Sequence, residues 1–333
     1  MEVGKLTSTR LQNTVLNRIT HHREDVLINS GLGEDSAVVD FGEEVLAISS
    51  DPITGAGHKA GYLAVHVACN DLAATGADPI GIQVVLLLPP SIEDEEISSL
   101  MQEIDKTSSE LGIQVLGGHT EIISEVSRSL IVVTAIGRAD RGKYVATGGA
   151  APGDDIVLTK GLGLEGSFIL ASDFSDYLRE VGVSAETIEA ARAYQEELSV
   201  LPEGLIAAEY GVSSMHDITE GGLYGALTEM SQAADLGFVL EKSPELVPEP
   251  VREITRSLGI DPYGLISSGS MLIALPSADG LIEKLRENNI PAYRAGRMTE
   301  EGQSVEEDGL RYGLEWQGGD ELWDFIKKIE NNT

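Results

Sequence analysis

Four aspartates of the 333-residue chain sit where an element can present a carboxylate at its end. Asp35 follows the turn Gly31-Leu32-Gly33-Glu34 and precedes an apolar run; Asp51 stands just past the run Val45–Ile48, ahead of Pro52. Asp71 follows Asn70 in a stretch of small residues, and Asp217 follows His216 ahead of Thr219-Glu220-Gly221-Gly222. Carboxylates are hard oxygen donors, and several converging on one cleft can hold Mg2+ ions between a protein and a triphosphate. Any one of them alone is equally well explained as a turn or capping residue.

Two glycine-rich stretches are the second candidate feature. Gly117-Gly118-His119-Thr120-Glu121 is predicted to follow a short strand, and Gly161-Leu162-Gly163-Leu164-Glu165-Gly166-Ser167 to precede a helix. Backbone amides in such loops can approach phosphate oxygens closely. The pattern Gly-x-x-x-x-Gly-Lys-Ser/Thr is absent, so neither is a P-loop. Gly161, Gly163 and Gly166 match Gly-x-Gly-x-x-Gly, but mid-chain, whereas a dinucleotide-binding fold places that loop after its first strand. His119 and His216 lie in predicted loops and are candidates for a site; His66 reads as a packed helix residue. One cysteine, Cys69, cannot build a cysteine-based zinc site, and its apolar surroundings predict burial. No Gly-x-Ser-x-Gly anchors serine hydrolysis.

These residues need elements to carry them. The spacing predicts helices over 7–20, 60–75, 92–111, 185–198 and 202–209. It predicts strands over 36–40, 44–49, 83–88, 114–116, 129–136, 156–159, 271–275 and 292–296. His216–Gly222 reads as a loop opening a helix from Leu223, and the last thirty residues are weakly patterned. This alternation implies an α/β or α+β fold. The length suits two domains of roughly 150 residues, and the cluster Thr147–Asp154 (TGGAAPGD) is the boundary, giving 1–150 and 151–333. Asp and Glu outnumber Lys and Arg by 55 to 23, a formal charge of −32. A field of that sign repels nucleic acid and anionic lipid, and a polyanionic substrate would need local cancellation by metal. No window approaches the roughly 18 apolar residues of a membrane span. With no apolar leader and a single cysteine, a cytoplasmic location is expected.

In order along the chain, the segments GEDSAVV (33–39), SDPIT (50–54), ACNDLAATGADP (68–79), GGHTE (117–121), APGDDIVLTKGLG (151–163), HDITEGGL (216–223) and SSGSMLIALP (267–276) resemble the superfamily typified by aminoimidazole ribonucleotide synthetase. The likeness spans about residues 4–300, and the opening Gly4-Lys5-Leu6 with the HDITEGG and SSG segments points to the hydrogenase-maturation carbamoyl dehydratase branch. The resemblance implies a two-domain fold: an N-terminal ATP-binding and dimerisation domain whose sheet pairs with a second copy in a central β-barrel, then a C-terminal α/β domain. It implies a homodimer, ATP and Mg2+ as cofactors, a small-molecule substrate and a maturation partner protein. Asp35, Asp51, Asp71 and Asp217 look like the metal–phosphate aspartates, with Asn70, Gly117, Gly118 and Gly163 lining the nucleotide cleft and Asp71, His119 and Asp217 as the catalytic set. The implied chemistry is phosphorylation of an amide-type oxygen, which turns it into a leaving group.

Departures from the branch bear on the second substrate. The dehydratase carries its substrate on a C-terminal cysteine, whereas this sequence ends Lys327-Lys328-Ile329-Glu330-Asn331-Asn332-Thr333. Its expected acid after Gly-Gly is His119, its loop histidine is Glu165, and Glu220 replaces its HDITEGG-position arginine. The expectation is a retained ATP platform with a different second substrate; the alternatives are a non-catalytic ATP-binding assembly scaffold and a kinase of the thiamine-monophosphate type.

Overall fold

The computed structural model describes residues 6–29, 31–53, 59–314, 316 and 318–330. Gly4, Lys5, Thr54, His58 and Asn331–Thr333 lie outside the described residues. The architecture is mixed α/β with two sheets, one in each half of the chain.

The N-terminal half opens with α1 (Ser8–Thr14), which buries no residue. Its sheet comprises β1 (Val26–Ile28), β2 (Ala37–Asp40), β3 (Glu44–Ile53), β4 (Asp78–Leu88), β5 (Gln114–Ile122) and β6 (Leu130–Asp140), in the order β1-β2-β3-β6-β4-β5. Period-2 alternation decides what each face carries. Val45, Ala47 and Ser49 of β3 and Ile131, Val133 and Ala135 of β6 point inward and are buried, where α2 (Ala60–Ala74) and α3 (Asp94–Glu110) cover them. Leu46, Ile48, Val85, Leu87, Val132 and Ile136 alternate onto the opposite face and are only half-buried. Among the described residues, no helix packs over that apolar face.

The C-terminal sheet comprises β7 (Asp155–Thr159), β8 (Ser214–Ile218), β9 (Gly237–Glu241), β10 (Ser270–Leu275), β11 (Ala292–Thr299), β12 (Gln303–Glu307) and β13 (Leu310–Gly313), in the order β13-β12-β9-β11-β7-β10-β8. β10, between β7 and the edge strand β8, is buried along its whole length, which its unbroken apolar run Met271–Leu275 requires. Val157, Met215, Met271 and Ile273 pack with α7 (Leu201–Tyr210) and α10 (Asp279–Glu287). On the other face Ile156, Leu158, Ile218 and Leu272 pack with α4 (Leu164–Asp173), α6 (Ala185–Ala193), α8 (Gly222–Ala234) and α9 (Glu249–Leu258). The short α5 (Ser175–Glu180) and the C-terminal α11 (Glu321–Glu330) complete the chain. Ala73 and Ala74 of α2 join the α7–α10 cluster, so α2 serves both halves.

Several predicted boundaries move. β3 runs through Asp51 and Pro52 to Ile53, so Asp51 lies within the strand rather than past its end. β5 continues through Gly117-Gly118 to Ile122, so GGHTE is strand and not a turn. His216 and Asp217 are strand residues of β8, not loop residues. α1 ends at Thr14, with a 3-10 turn at Leu16–Arg18 completing the predicted first helix. The helix α11 occupies a stretch that shows little pattern in the sequence.

Candidate active site

Strand β3 puts Ser49 and Asp51 on the face that meets α2, because both share the parity of Val45 and Ala47. The Ser49 hydroxyl donates to the Asp71 carboxyl of α2, and Ser36 Oγ donates to the Asp71 backbone oxygen at 3.1 Å. Asp71 also shares a side-chain hydrogen bond with Asp51 and feels the charges of Asp217 and Asp35. Four carboxylates, from β3, α2, β8 and the loop ahead of β2, three in one half and one in the other, thus converge at the junction of the halves.

Strand β8 divides its two chemical residues between its faces. Asp217 has the parity of Met215 and is 3% exposed; His216 turns the other way, towards α8. Its Nδ1 lies 2.6 Å from Asp35 Oδ1 and its Nε2 lies 3.0 Å from Glu229 Oε2. Burial works against charge on this imidazole, but Asp35 and Glu229 raise its pKa well above the histidine value, so it is held as a cation. Asp35 is raised by burial, with His216 opposing, and Thr147 Oγ1 donates to its other oxygen at 3.3 Å. Glu34 accepts the N–H groups of Thr147 and Gly148 at 3.3 and 3.2 Å, and Ser214 Oγ donates to the Thr147 oxygen at 2.6 Å. The interdomain turn is therefore part of the site wall.

Asp71 is pushed well above the ordinary carboxylate range by burial first, then by Asp217 and Asp51. Carboxylates crowded and buried in this way raise one another's pKa and favour a cation placed among them. Ligand atoms of Asp35, His216 and Asp217 lie within 4.8 Å of one another. With His216 engaged by two carboxylates, the remaining donors are oxygens, the set a hard divalent ion takes.

The other expected residues are placed elsewhere. Asn70 is 1% exposed, and its amide donates to Leu198 O at 2.8 Å and accepts from Val200 N at 2.9 Å; it reads backbone rather than facing the aspartates. Gly117, Gly118 and His119 lie on edge strand β5, three strands from β3, about 14 Å away at the usual strand spacing. His119 is exposed, 3.4 Å from Glu121. Gly118 has a packing reason to be glycine: at φ 149° a Cβ would come within 1.8 Å of Val84 O. Gly163 caps α4 at φ 72°, donates its N–H to Ser267 Oγ at 2.7 Å, and leaves no room for a Cβ against Val251. Reasoning from sequence overlooked Glu34, Ser49, Thr147 and Glu229. Glu34 was legible beside Asp35; Glu229, thirteen positions from His216 on another element, carried no signal.

Family comparison agrees with this two-part construction. Residues 33–139 match the model "AIR synthase related protein, N-terminal domain", and residues 151–308 match "AIR synthase related protein, C-terminal domain". The chain belongs to the AIR synthase related family. Among relatives of this AIR synthase related chain, a Methanocaldococcus jannaschii protein named for hydrogenase expression and formation is 27% identical, covering 86% of this chain and 84% of its own. The carbamoyl dehydratase HypE of Cupriavidus necator is 26% identical over 81% of this chain and 78% of its own. A crystal structure of the hydrogenase maturation protein HypE in complex with ATP shares the fold, with a TM-score of 0.70 at 22% identity, covering 96% of this chain and 97% of the other. No helix among the described residues is long and apolar enough to cross a membrane.

Proposed function

We propose that this protein is an ATP- and Mg2+-dependent enzyme of the hydrogenase-maturation type, which phosphorylates and so activates an amide-like oxygen of a small substrate. The observation that carries the reading is the convergence of Asp35, Asp51, Asp71 and Asp217 from both halves of the chain, with Asp71 raised by burial first and then by Asp217 and Asp51. The carbamoyl dehydratase activity named for one relative and the ATP complex of one fold neighbour support it.

On this reading the four aspartates hold Mg2+. When bound, the metal neutralises charge on the phosphate oxygens during transfer. The protein's own work is positioning. His216 stays protonated between Asp35 and Glu229 and holds Asp35 in one orientation. Thr147 and Glu34 tie the interdomain turn to the same site. Asp71 and Asp217, on opposing elements, fix where the transferring group sits relative to both halves, and such preorganised charge is where phosphoryl-transfer enzymes gain most of their rate.

The N-terminal domain would also form the homodimer. Its open face of Leu46, Ile48, Val85, Leu87, Val132 and Ile136 and its edge strand β5, with Leu116 and Ile122 exposed, suit a second copy better than water. His119 would then lie at the subunit boundary. The hydrogenase-related names of the relatives support a partner protein from that maturation system.

Calorimetric titration of ATP with and without Mg2+, on wild type and Asp71→Asn, tests the site. Mg-dependent binding lost in the variant is the expected result, followed by a small-molecule screen for ADP release. Absence of binding by the wild type would leave an assembly scaffold as the better account.

A further inference from the structure

The side of α2 adjoining Asp71 carries a second set of contacts. Tyr62, His66, Asn70 and Ala73 recur at helical spacing on one face, and Tyr62, Asn70 and Ala73 all meet residues 195–204 of the C-terminal half. Tyr62 Oη donates to Gln195 O at 2.7 Å. Asn70 takes both sides of the backbone, donating to Leu198 O at 2.8 Å and accepting from Val200 N at 2.9 Å. Gly204 sits so close to α2 that a Cβ there would lie 2.4 Å from Ala73 O.

Lys160 grips the same segment from the C-terminal domain. Its backbone is left-handed, φ 56°, and its Nζ donates to Glu197 O at 2.8 Å and to Ser199 O at 2.6 Å. It also pairs with Glu203 at 2.9 Å, the two side chains being 9% and 2% exposed. Three acceptors use all three ammonium hydrogens. The alternation is regular: Lys160 holds the carbonyls of 197 and 199, and Asn70 holds the carbonyl of 198 and the amide of 200.

We propose that Asn70 and Lys160 are positioning residues: through the shared backbone of residues 197–200 they set the rotation of α2 about its axis, and with it the approach of Asp71 to Asp217. The inference rests on the reading that these two aspartates serve one metal–nucleotide site. Asn70 and Asp71 are consecutive, so they lie about 100° apart on α2 and rotate together. A carboxylate about 5–6 Å from a helix axis moves about 1 Å for a rotation of about 10°, and a misplacement of that size can cost about 10²-fold in a reaction that depends on alignment. Asparagine is the residue that serves here, because Asp would set a carboxylate against Leu198 O and Ser is too short to reach both groups. The role differs from the nucleotide contact expected of Asn70 from the resemblance.

The test compares wild type with Asn70→Ala and with the paired variant Lys160→Met/Glu203→Gln, which removes both charges so that neither is left buried alone. ATP affinity is measured with and without Mg2+, and amide hydrogen exchange is followed across residues 195–204. Each variant is expected to lose at least about tenfold of the Mg-dependent gain in affinity, to keep its metal-free affinity within about twofold, and to deprotect the same peptide. Combining the variants should cost little more than either alone, since both act through one segment. A merely structural role would lower Tm and leave the Mg-dependent gain intact in the folded fraction. That result, or deprotection by one variant but not the other, overturns the proposal while leaving the nucleotide site standing. A wild type without Mg-dependent binding sinks both readings together.

Discussion

Replacing Asp71 by Asn should make the metal-free protein more stable and the site useless. The amide is isosteric, can donate to Asp51 and can accept from Ser49, so the packing at the mouth of α2 is kept. What is lost is one of four crowded carboxylates. The Asp71 carboxyl is raised above its ordinary 3.8 by burial, then by Asp217 and Asp51, and each unit of such displacement is worth about 1.4 kcal/mol. A carboxyl whose folded pKa exceeds its unfolded one holds more protons in the native state. Its favourable contribution is therefore present below about pH 4 and is lost as pH rises through the folded value. The gain from Asp71→Asn should be near zero at pH 4 and grow towards neutrality, reaching about 1–2 kcal/mol, or about 2–8 °C in Tm for domains of this size. Mg-ATP should reverse the order, because ligand at about 100 times its Kd adds about 2.7 kcal/mol to a protein that binds it and nothing to the variant. Calorimetric melting at pH 4, 5.5 and 7, in EDTA and in Mg-ATP, reads both effects. A variant that is less stable than wild type at pH 7 without metal, or that gains as much from Mg-ATP as wild type does, would refute the crowding argument.

Other expectations follow from single contacts. His66 is held down to about 4 by burial and then by Lys160, so the unfolded chain takes up its proton first on acidification; stability should fall by up to about 3 kcal/mol between pH 6.5 and 4, and His66→Phe should flatten that limb of a pH–melting profile. Gly118→Ala would drive a Cβ into Val84 O and should cost about 3 kcal/mol or more, with exchange protection lost in β4 and β5 first; a change within about 0.5 kcal/mol would contradict the close approach. Val132→Lys, in the middle of the open sheet face, should turn a dimer into a monomer in light scattering with little change in far-UV dichroism, and an unchanged mass would argue that this face is not the contact. Glu229→Gln should lower the pKa of His216, seen in the pH dependence of its ring NMR signals, since Glu229 is one of its two carboxylate partners.

Much of the frame was legible because burial follows period and because glycine and proline mark ends. The strand over 36–40, the helix over 60–75 and the strand over 271–275 lie within a residue or so of their positions in the structure. Elements whose partners are remote in sequence were harder to read. β5 looked like a three-residue strand because Gly117-Gly118 is ordinarily a stop, yet parallel pairing with β4 carries the chain through it. β9 and α9 have no counterpart among the predicted elements. The aspartates were found as a motif set, and their convergence needed the sheet parity of β3 and the docking of α2 on β8. Asn70 shows the limit most clearly. Its neighbour in sequence is a cluster aspartate, but one residue along a helix is about 100° of rotation, enough to put it in a different environment.

Strand β8 stands between two tasks that differ by one position. His216 reaches the carboxylates of Asp35 and Glu229, and Asp217 turns towards α2. Because successive strand residues face opposite ways, gaining or losing one residue ahead of this pair would exchange them, sending an imidazole among the aspartates and a carboxylate towards Glu229. Drift among homologues should then be free to change the apolar residues Met215 and Ile218 for others of like size, while insertions and deletions between β8 and its pairing with β10 are excluded. For this segment, length constrains the site more tightly than composition does.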